Sequence, residues 1–142
     1  MIALDVNVLL AAHRADHPHH DALRAWLDDL VSRREPFTVP AFVWSSFIRI
    51  ATNRRIFTIP TPVPDAFAFL RAIRAQPQHL ALESGERQVE LFEQLCLETE
   101  SSGDLTVDAF LAAFALEHGA AVASLDRDFA RFPGLDWLRP GD

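Results

Sequence analysis

The chain has 142 residues, is 49% hydrophobic and carries a formal net charge of −7. This length and composition predict one domain spanning residues 1–142, with a single sizeable core. Its one cysteine, Cys96, excludes an internal disulfide, and the acidic charge argues against a broad, electrostatically driven nucleic-acid binder. No apolar segment approaches the roughly 20 residues that a membrane span requires, so we expect a soluble, cytoplasmic protein without a membrane partner.

The first half of the chain contains apolar runs at strand and helix spacing, separated by prolines. In chain order these runs predict a strand over Ile2 to Leu4, a helix over Val6 to Ala12, a helix from Pro18, a strand over Phe37 to Val39 and a helix from Pro40 to about Asn53. The proline-rich segment from Thr58 to Pro64 predicts an extended loop.

The second half continues this alternation. It predicts a helix over Asp65 to Ala75, a short strand over His79 to Leu82, a helix from Gly85 to about Glu98, a helix capped by Thr106 that runs through Glu117, and a buried strand over Ala120 to Leu125. Strands that alternate with helices imply a mainly parallel sheet covered on both faces, which is an α/β fold. Active sites in such sheets lie beyond the carboxyl ends of the strands.

Four aspartates lie at the edges of these apolar runs: Asp5, Asp108, Asp126 and Asp128. Asp5 and Asp126 follow predicted strands, so the sheet would bring them to one edge. Carboxylates that converge in a cleft raise one another's pKa unless a cation offsets their repulsion. Ligands that offer only oxygen select a hard divalent ion, Mg²⁺ or Mn²⁺. The pattern therefore predicts a metal-dependent enzyme.

The contribution of the sixth predicted helix depends on where that helix begins. Asp104 and Asp108 are four residues apart, so both project from one face if the helix starts early. If it starts at Val107, only Asp108 is held rigidly. Taken alone, Asp108 would be explained by compensation of the helix dipole; beside Asp5 and Asp126 it is better explained as a ligand.

The chain contains no lysine, so all 13 residues counted as lysine or arginine are arginine. Arginine suits bidentate contact with phosphate. Arg49, Arg54 and Arg55 lie close together around the end of the predicted helix from Pro40. Two explanations stay open for this group: a solvated helix end that compensates the dipole, or a phosphate-binding surface.

Several short stretches, taken together and in this order, resemble the PIN-domain family, specifically its VapC-type toxin ribonucleases. The stretches are Asp5 to Leu10, Phe47 to Asn53, Asp108 to Ala113, Glu117 to Ala120, and Ser124 to Leu135. The resemblance implies a PIN-like α/β/α sandwich around a central, mainly parallel sheet. It also implies Mg²⁺-dependent cleavage of RNA, a homodimer, and a cognate VapB-type antitoxin whose C-terminal segment covers the active site.

The resemblance assigns roles that fit the chemistry of phosphodiester hydrolysis, which needs an activated water and cations near the phosphate. Asp5 and Asp108 would be the principal Mg²⁺ ligands. Asp126 and Asp128 would complete the acidic pocket and orient the attacking water. Asn7 and Ser124 are candidates to hold these carboxylates by hydrogen bonds, and Arg49 is a candidate contact for RNA or for an antitoxin carboxylate.

Ser46 departs from the family pattern, since many members carry a glutamate at this position. A serine supplies no carboxylate, although its hydroxyl can hydrogen-bond a metal-bound water. We therefore expect one firmly held metal and a second only with substrate, with Asp104 or Asp128 supplying the missing charge. The departure also motivates an alternative function: a degenerate PIN domain that binds RNA or an antitoxin without cleavage.

Overall fold

A four-stranded parallel sheet forms the centre of the computed structural model, which describes residues 1–142. Its strands are β1 (Ile2–Leu4), β2 (Phe37–Thr38), β3 (Ala121–Ala123) and β4 (Trp137–Leu138), and their order across the sheet is β2-β1-β3-β4. The register places Ala3 opposite Thr38 on one side and opposite Val122 on the other. The predicted parallel sheet is confirmed, with β1 at its centre beside β3.

Six α-helices flank the sheet: α1 (Val6–His13), α2 (His20–Ser32), α3 (Ala41–Ala51), α4 (Val63–Arg74), α5 (Glu86–Thr99) and α6 (Leu105–His118). A 3₁₀ helix, Arg127–Arg131, lies between β3 and β4. The arrangement is the expected PIN-like α/β/α fold. None of these helices combines the length and the apolar character that crossing a membrane requires.

The burial pattern explains why helices cover both faces of the sheet. Ala3 and Leu4 point to opposite faces because they are adjacent in a strand, and both are completely buried. The same holds for Val122 and Ala123 in β3. Helix α6 is apolar over most of its circumference and buries the run from Leu111 to Ala115, so it belongs to the core rather than to the surface.

Two predicted elements differ at the β2 edge of the sheet. The strand expected over His79 to Leu82 is wrong, because only a single bridge forms, between Phe37 and His79. Beyond that bridge the Leu80 carbonyl accepts from the Thr38 hydroxyl at 2.7 Å instead of from a strand amide. The Val39 amide donates to the His79 ring, which ends β2 after Thr38.

Helix boundaries also differ from the expectations. Helix α2 begins at His20 rather than at Pro18, and α4 begins at Val63 because Pro64 fits the first helical turn, where no amide hydrogen is needed. Thr106 is not the cap of α6. The helix starts at Leu105, and the Thr106 hydroxyl instead donates to the Gly103 carbonyl at 2.7 Å.

Arg14, in the turn between α1 and α2, forms hydrogen bonds that hold the loop after α3 in place. Its side chain is 8% exposed and donates to the Ile59 carbonyl at 2.8 Å and to the Thr61 hydroxyl at 3.2 Å. It also pairs with Asp16 at 2.6 Å and stacks over the Phe57 ring at 3.8 Å. A buried guanidinium with this many partners holds the loop because each partner would otherwise lose a hydrogen bond.

We expect Arg14→Met to lower the free energy of unfolding by about 2 kcal/mol, since it removes the donor to the Ile59 carbonyl and leaves the buried Thr61 hydroxyl with the His13 ring as its one side-chain partner. Urea unfolding measures the change. The matched control is Arg24→Met, which removes an exposed pair with Asp28 and should cost less than about 0.5 kcal/mol. Equal effects of the two substitutions would contradict the role of Arg14.

Candidate functional site

Asp5 lies at the carboxyl end of β1 and caps the start of α1. Its Oδ1 accepts from the Val6 amide at 2.7 Å, and its Oδ2 accepts from the Ser124 hydroxyl at 2.7 Å. The residue is only 8% exposed. Both carboxylate oxygens are therefore fixed in direction by donors from different parts of the chain.

Ser124 follows β3 and joins the two central strands at the site. Its buried hydroxyl donates to Asp5 and accepts from Asn7 Nδ2 and from the Asp126 amide, each at 3.0 Å. The side-chain Oδ1 of Asn7 accepts from the Leu125 amide at 3.0 Å. The structure thus places Asn7 and Ser124 in one hydrogen-bond network with Asp5, and this network ends β3 after Ala123 instead of at Leu125 as expected.

Asp108, Asp126 and Asp128 form an acidic cluster, in which one carboxylate oxygen of each lies within 4.8 Å of the others. Asp108 comes from the first turn of α6. Asp126 caps the 3₁₀ helix, and its Oδ1 accepts from the Asp128 amide at 2.9 Å. Two separate helices therefore deliver these carboxylates to one point.

The electrostatics of the cluster favour a bound cation. Burial, first, and then the charges of Asp5 and Asp126 raise the pKa of Asp108 to about 7, although Arg131 lowers it. Burial also raises the pKa of Asp5, against the hydrogen bonds from Ser124 and Val6. Without a cation, Asp108 holds a proton up to neutral pH; a divalent cation would take that proton's place.

The chemical type of the ligand atoms determines which cations the cluster can bind. All ligand atoms offered are carboxylate oxygens, which hard ions such as Mg²⁺ and Mn²⁺ prefer and which zinc sites rarely use alone. Asp128 is exposed, whereas Asp108 and Asp126 are half-buried. The cluster is therefore open to solvent on one side, where a substrate and water can enter.

Ser46 lines a small cavity that also contacts Asp5. The cavity measures about 30 Å³, room for a single water, and its other walls are mainly apolar: Val6, Phe42, Val43, Val107 and Leu111. Ser46 thus shares a cavity wall with Asp5, but not with Asp108, Asp126 or Asp128.

Two other predicted site residues, Asp104 and Arg49, lie outside the acidic cluster. Asp104 is exposed, stands in the cap position of α6 without making a capping hydrogen bond, and is not part of the acidic cluster. Arg49 lies one turn beyond Ser46 but lines a separate groove between α3 and α4, with Trp44, Phe67 and Leu70. It is exposed and pairs with no carboxylate.

Arg131 was not among the predicted site residues, although its charge acts on Asp108. Arg131 follows Asp128 by three residues, and in a 3₁₀ helix two side chains at this spacing lie on the same side. This spacing is the feature of the sequence that could have indicated Arg131. That spacing carries information only once the segment is known to be a 3₁₀ helix. The sequence contained no pattern that predicted one.

Comparisons with known proteins show the family and the fold of this chain. The sequence profile of the PIN domain matches residues 2–135. The chain is 56% identical over 140 residues to Ribonuclease VapC25 of Mycobacterium tuberculosis, covering 99% of both chains, and 44% identical over 142 residues to Ribonuclease VapC43 of the same species, covering 100% of this chain and 97% of the relative. The fold is similar to the VapBC2 structure from Rickettsia felis with a TM-score of 0.73, at 16% identity and 99% coverage of both chains. It is also similar to Mycobacterium tuberculosis VapC20, with a TM-score of 0.70, at 18% identity, covering 99% of this chain and 100% of that one.

We expect Mn²⁺ affinity to depend on pH through Asp108. Its pKa is about 7 in the metal-free protein, so below that pH a metal must displace a proton. The apparent affinity should therefore fall by about tenfold for each pH unit below 7 and level off above it. Titration calorimetry between about pH 5.5 and pH 8 measures this; Asp108→Asn should weaken the binding and lessen its pH dependence, the remainder coming from Asp5, whose pKa is also raised.

The same shift gives a second readout in the metal-free protein. Because the folded pKa of Asp108 lies above its unfolded value of 3.8, the folded state binds more protons between the two values. Its stability should fall as the pH rises from about 4 to 7, and Asp108→Asn should lessen that fall. A pH-independent Mn²⁺ affinity would contradict the assignment of Asp108.

Proposed function

We propose that this chain, which belongs to the PIN-domain family and within it to the VapC ribonucleases, is a Mg²⁺-dependent endoribonuclease that acts as the toxin of a VapBC-type pair. The observation that carries the proposal is the acidic cluster beside Asp5, in which burial and neighbouring charge raise the pKa of Asp108 to about 7. The 56% identity over nearly the full length to Ribonuclease VapC25 supports the same reading.

Each residue of the site has a physical role in this reaction. Asp5, oriented by the Val6 amide and the Ser124 hydroxyl, and Asp108, in its ionised form, would be the principal ligands of the cation. Asp126 and Asp128 would complete the pocket and orient the attacking water. When bound, the cation would supply positive charge beside the phosphate and make a water easier to ionise.

The partners proposed are an RNA substrate, a second copy of the chain and a cognate VapB-type antitoxin. Similarity of the fold to the VapBC2 structure from Rickettsia felis supports the antitoxin. Arg49 is the proposed contact for RNA or for an antitoxin carboxylate, because it is exposed, unpaired and one turn from Ser46.

The second candidate function is a PIN domain that binds RNA or an antitoxin without cleavage. Ser46 favours it, because a hydroxyl and a small cavity stand where the family places a carboxylate. Cleavage of RNA by the purified protein in Mg²⁺, abolished by chelation, separates the two functions. Binding without cleavage under the same conditions would support the second.

We expect Asp108→Asn to lower Mg²⁺-dependent RNA cleavage by at least about 100-fold, because it removes a ligand charge from the cluster. Folding should be unchanged or slightly more stable, because the substitution relieves repulsion from Asp5 and Asp126. The assay is cleavage of a labelled RNA, with thermal unfolding measured in parallel.

Asp104→Asn is the matched control for that experiment. It removes the same charge from the same helix one turn earlier, where the side chain lies outside the cluster. Cleavage should stay within about twofold of the wild-type rate. Equal loss in both variants would mean that total charge near α6, rather than the ligand at Asp108, controls the activity.

We expect Ser46→Glu to tighten Mn²⁺ binding by about tenfold, because it directs a carboxylate from the cavity wall toward the Asp5 side of the site. Ser45→Glu, on the exposed side of α3, adds the same charge without facing the cavity and should change the affinity little. Calorimetry compares the two. Weaker binding or no change in Ser46→Glu would show that this position does not reach the metal.

A further inference from the structure

Arg131 connects the two helices that carry the acidic cluster. It ends the 3₁₀ helix that contains Asp128, and its guanidinium contacts the first residue of α6, the helix that carries Asp108. The residue is half-buried, unlike the exposed arginines at the end of α3. A positive charge is thus built into the wall of a site that is otherwise acidic.

The guanidinium of Arg131 is held in a fixed orientation. Its Nη2 donates to the carbonyl of Leu105, the first residue of α6, at 3.4 Å. Its Cζ lies 4.8 Å from the centre of the Phe132 ring, and Phe132 itself is buried. A stacked, half-buried guanidinium loses little further side-chain entropy when it binds an anion.

Most of the hydrogen-bonding capacity of Arg131 is unused within the protein. Arg131 forms no ion pair within 4.0 Å, whereas four other arginines do pair with carboxylates: Arg14, Arg24, Arg33 and Arg139. Nη1 makes no hydrogen bond, so the edge formed by Nη1 and Nη2 is the one that an anion can reach; Nε is buried and has no partner. The single bond to Leu105, at 3.4 Å, is longer than the usual range of about 2.7–3.2 Å and therefore weak.

The charge balance of the site indicates a role for the Arg131 guanidinium. A single divalent cation does not neutralise Asp5, Asp108, Asp126 and Asp128 together, and a phosphodiester brings one more negative charge into the same space. Without another cation the substrate would be repelled at the point where it must bind. The planar fork of a guanidinium matches two phosphate oxygens at once.

We propose that Arg131 is a substrate-binding residue that holds a phosphate of the RNA backbone beside the metal site through its free guanidinium edge. This role rests on the proposed ribonuclease function. A purely structural role would be different: Arg131 would only tie α6 to the 3₁₀ helix, keeping Asp108 near Asp126 and Asp128. The two roles make opposite predictions for metal binding.

The test compares Arg131→Gln and Arg131→Lys with the wild type. The probe is a mixed-sequence single-stranded RNA of about 16 nucleotides, bound in Ca²⁺ to block cleavage and measured over a salt series. Arg131→Gln should weaken binding by about tenfold and lower the salt slope by about 0.7, the value for one phosphate of a single strand. Arg131→Lys should keep the slope and recover part of the affinity, because it keeps the charge but not the fork.

Mn²⁺ calorimetry and thermal unfolding of the same variants exclude the structural role. Loss of a nearby positive charge should leave Mn²⁺ affinity unchanged or higher in Arg131→Gln, with little change in Tm. The control is Arg71→Gln, which removes an exposed, unpaired arginine from α4 and should leave RNA affinity, salt slope and Mn²⁺ affinity as they are. In the cleavage assay, Arg131→Gln should raise KM more than it lowers kcat.

An unchanged RNA affinity and salt slope in Arg131→Gln would overturn the proposal. Weaker Mn²⁺ binding with an unchanged slope would overturn it in favour of the structural tie. Failure of the proposed function is a separate result, seen when the wild type does not cleave RNA in Mg²⁺. A lower slope in Arg131→Gln would still assign the phosphate contact in that case.

Discussion

The parallel pairing of β1 with β3 is the constraint on which the candidate site depends. It brings Asp5 and Ser124, 119 residues apart in the chain, to a buried hydrogen bond of 2.7 Å. A buried carboxylate is costly unless donors satisfy it, and this bond, with the one from the Val6 amide, offsets much of the cost for Asp5. Ser124 extends the same contact to Asn7 and to the Asp126 amide. A shift in this pairing would therefore disturb the whole site, not one ligand.

The acidic cluster adds a second constraint, which works against stability. Raised pKa values at Asp5 and Asp108 mean that ionising these groups costs more free energy in the metal-free folded state than in the unfolded chain. The fold tolerates this cost because α6, which carries Asp108, is anchored in the core by Ala109 and the run from Leu111 to Ala115. A bound cation would relieve the repulsion, so part of this cost would be recovered as affinity for the metal. Stability and function are thus linked at the same residues.

The sequence predicted the parts of this structure that depend on local pattern. Asp5 and Asp126 stand directly after apolar runs, so their place at strand ends followed from the alternation of strands and helices. The pattern missed β4, because a two-residue strand at Trp137 is too short to show any periodicity. It wrongly extended a strand from His79, because the side chains of Thr38 and His79 take the hydrogen bonds that a ladder would need. Such competition between side chain and backbone is decided by tertiary contacts.

The charge balance of the proposed site involves both Ser46 and Arg131, two residues from distant parts of the chain that no local pattern relates. The cavity beside Ser46 has mainly apolar walls, so a glutamate there would be partly desolvated next to Asp5, whose own pKa is already raised. With serine in its place the site has one less negative charge to neutralise. Arg131 changes the balance in the same direction from the side of the 3₁₀ helix. Both features would lower the repulsion that an entering phosphate meets, which matters in a chain whose net charge is −7.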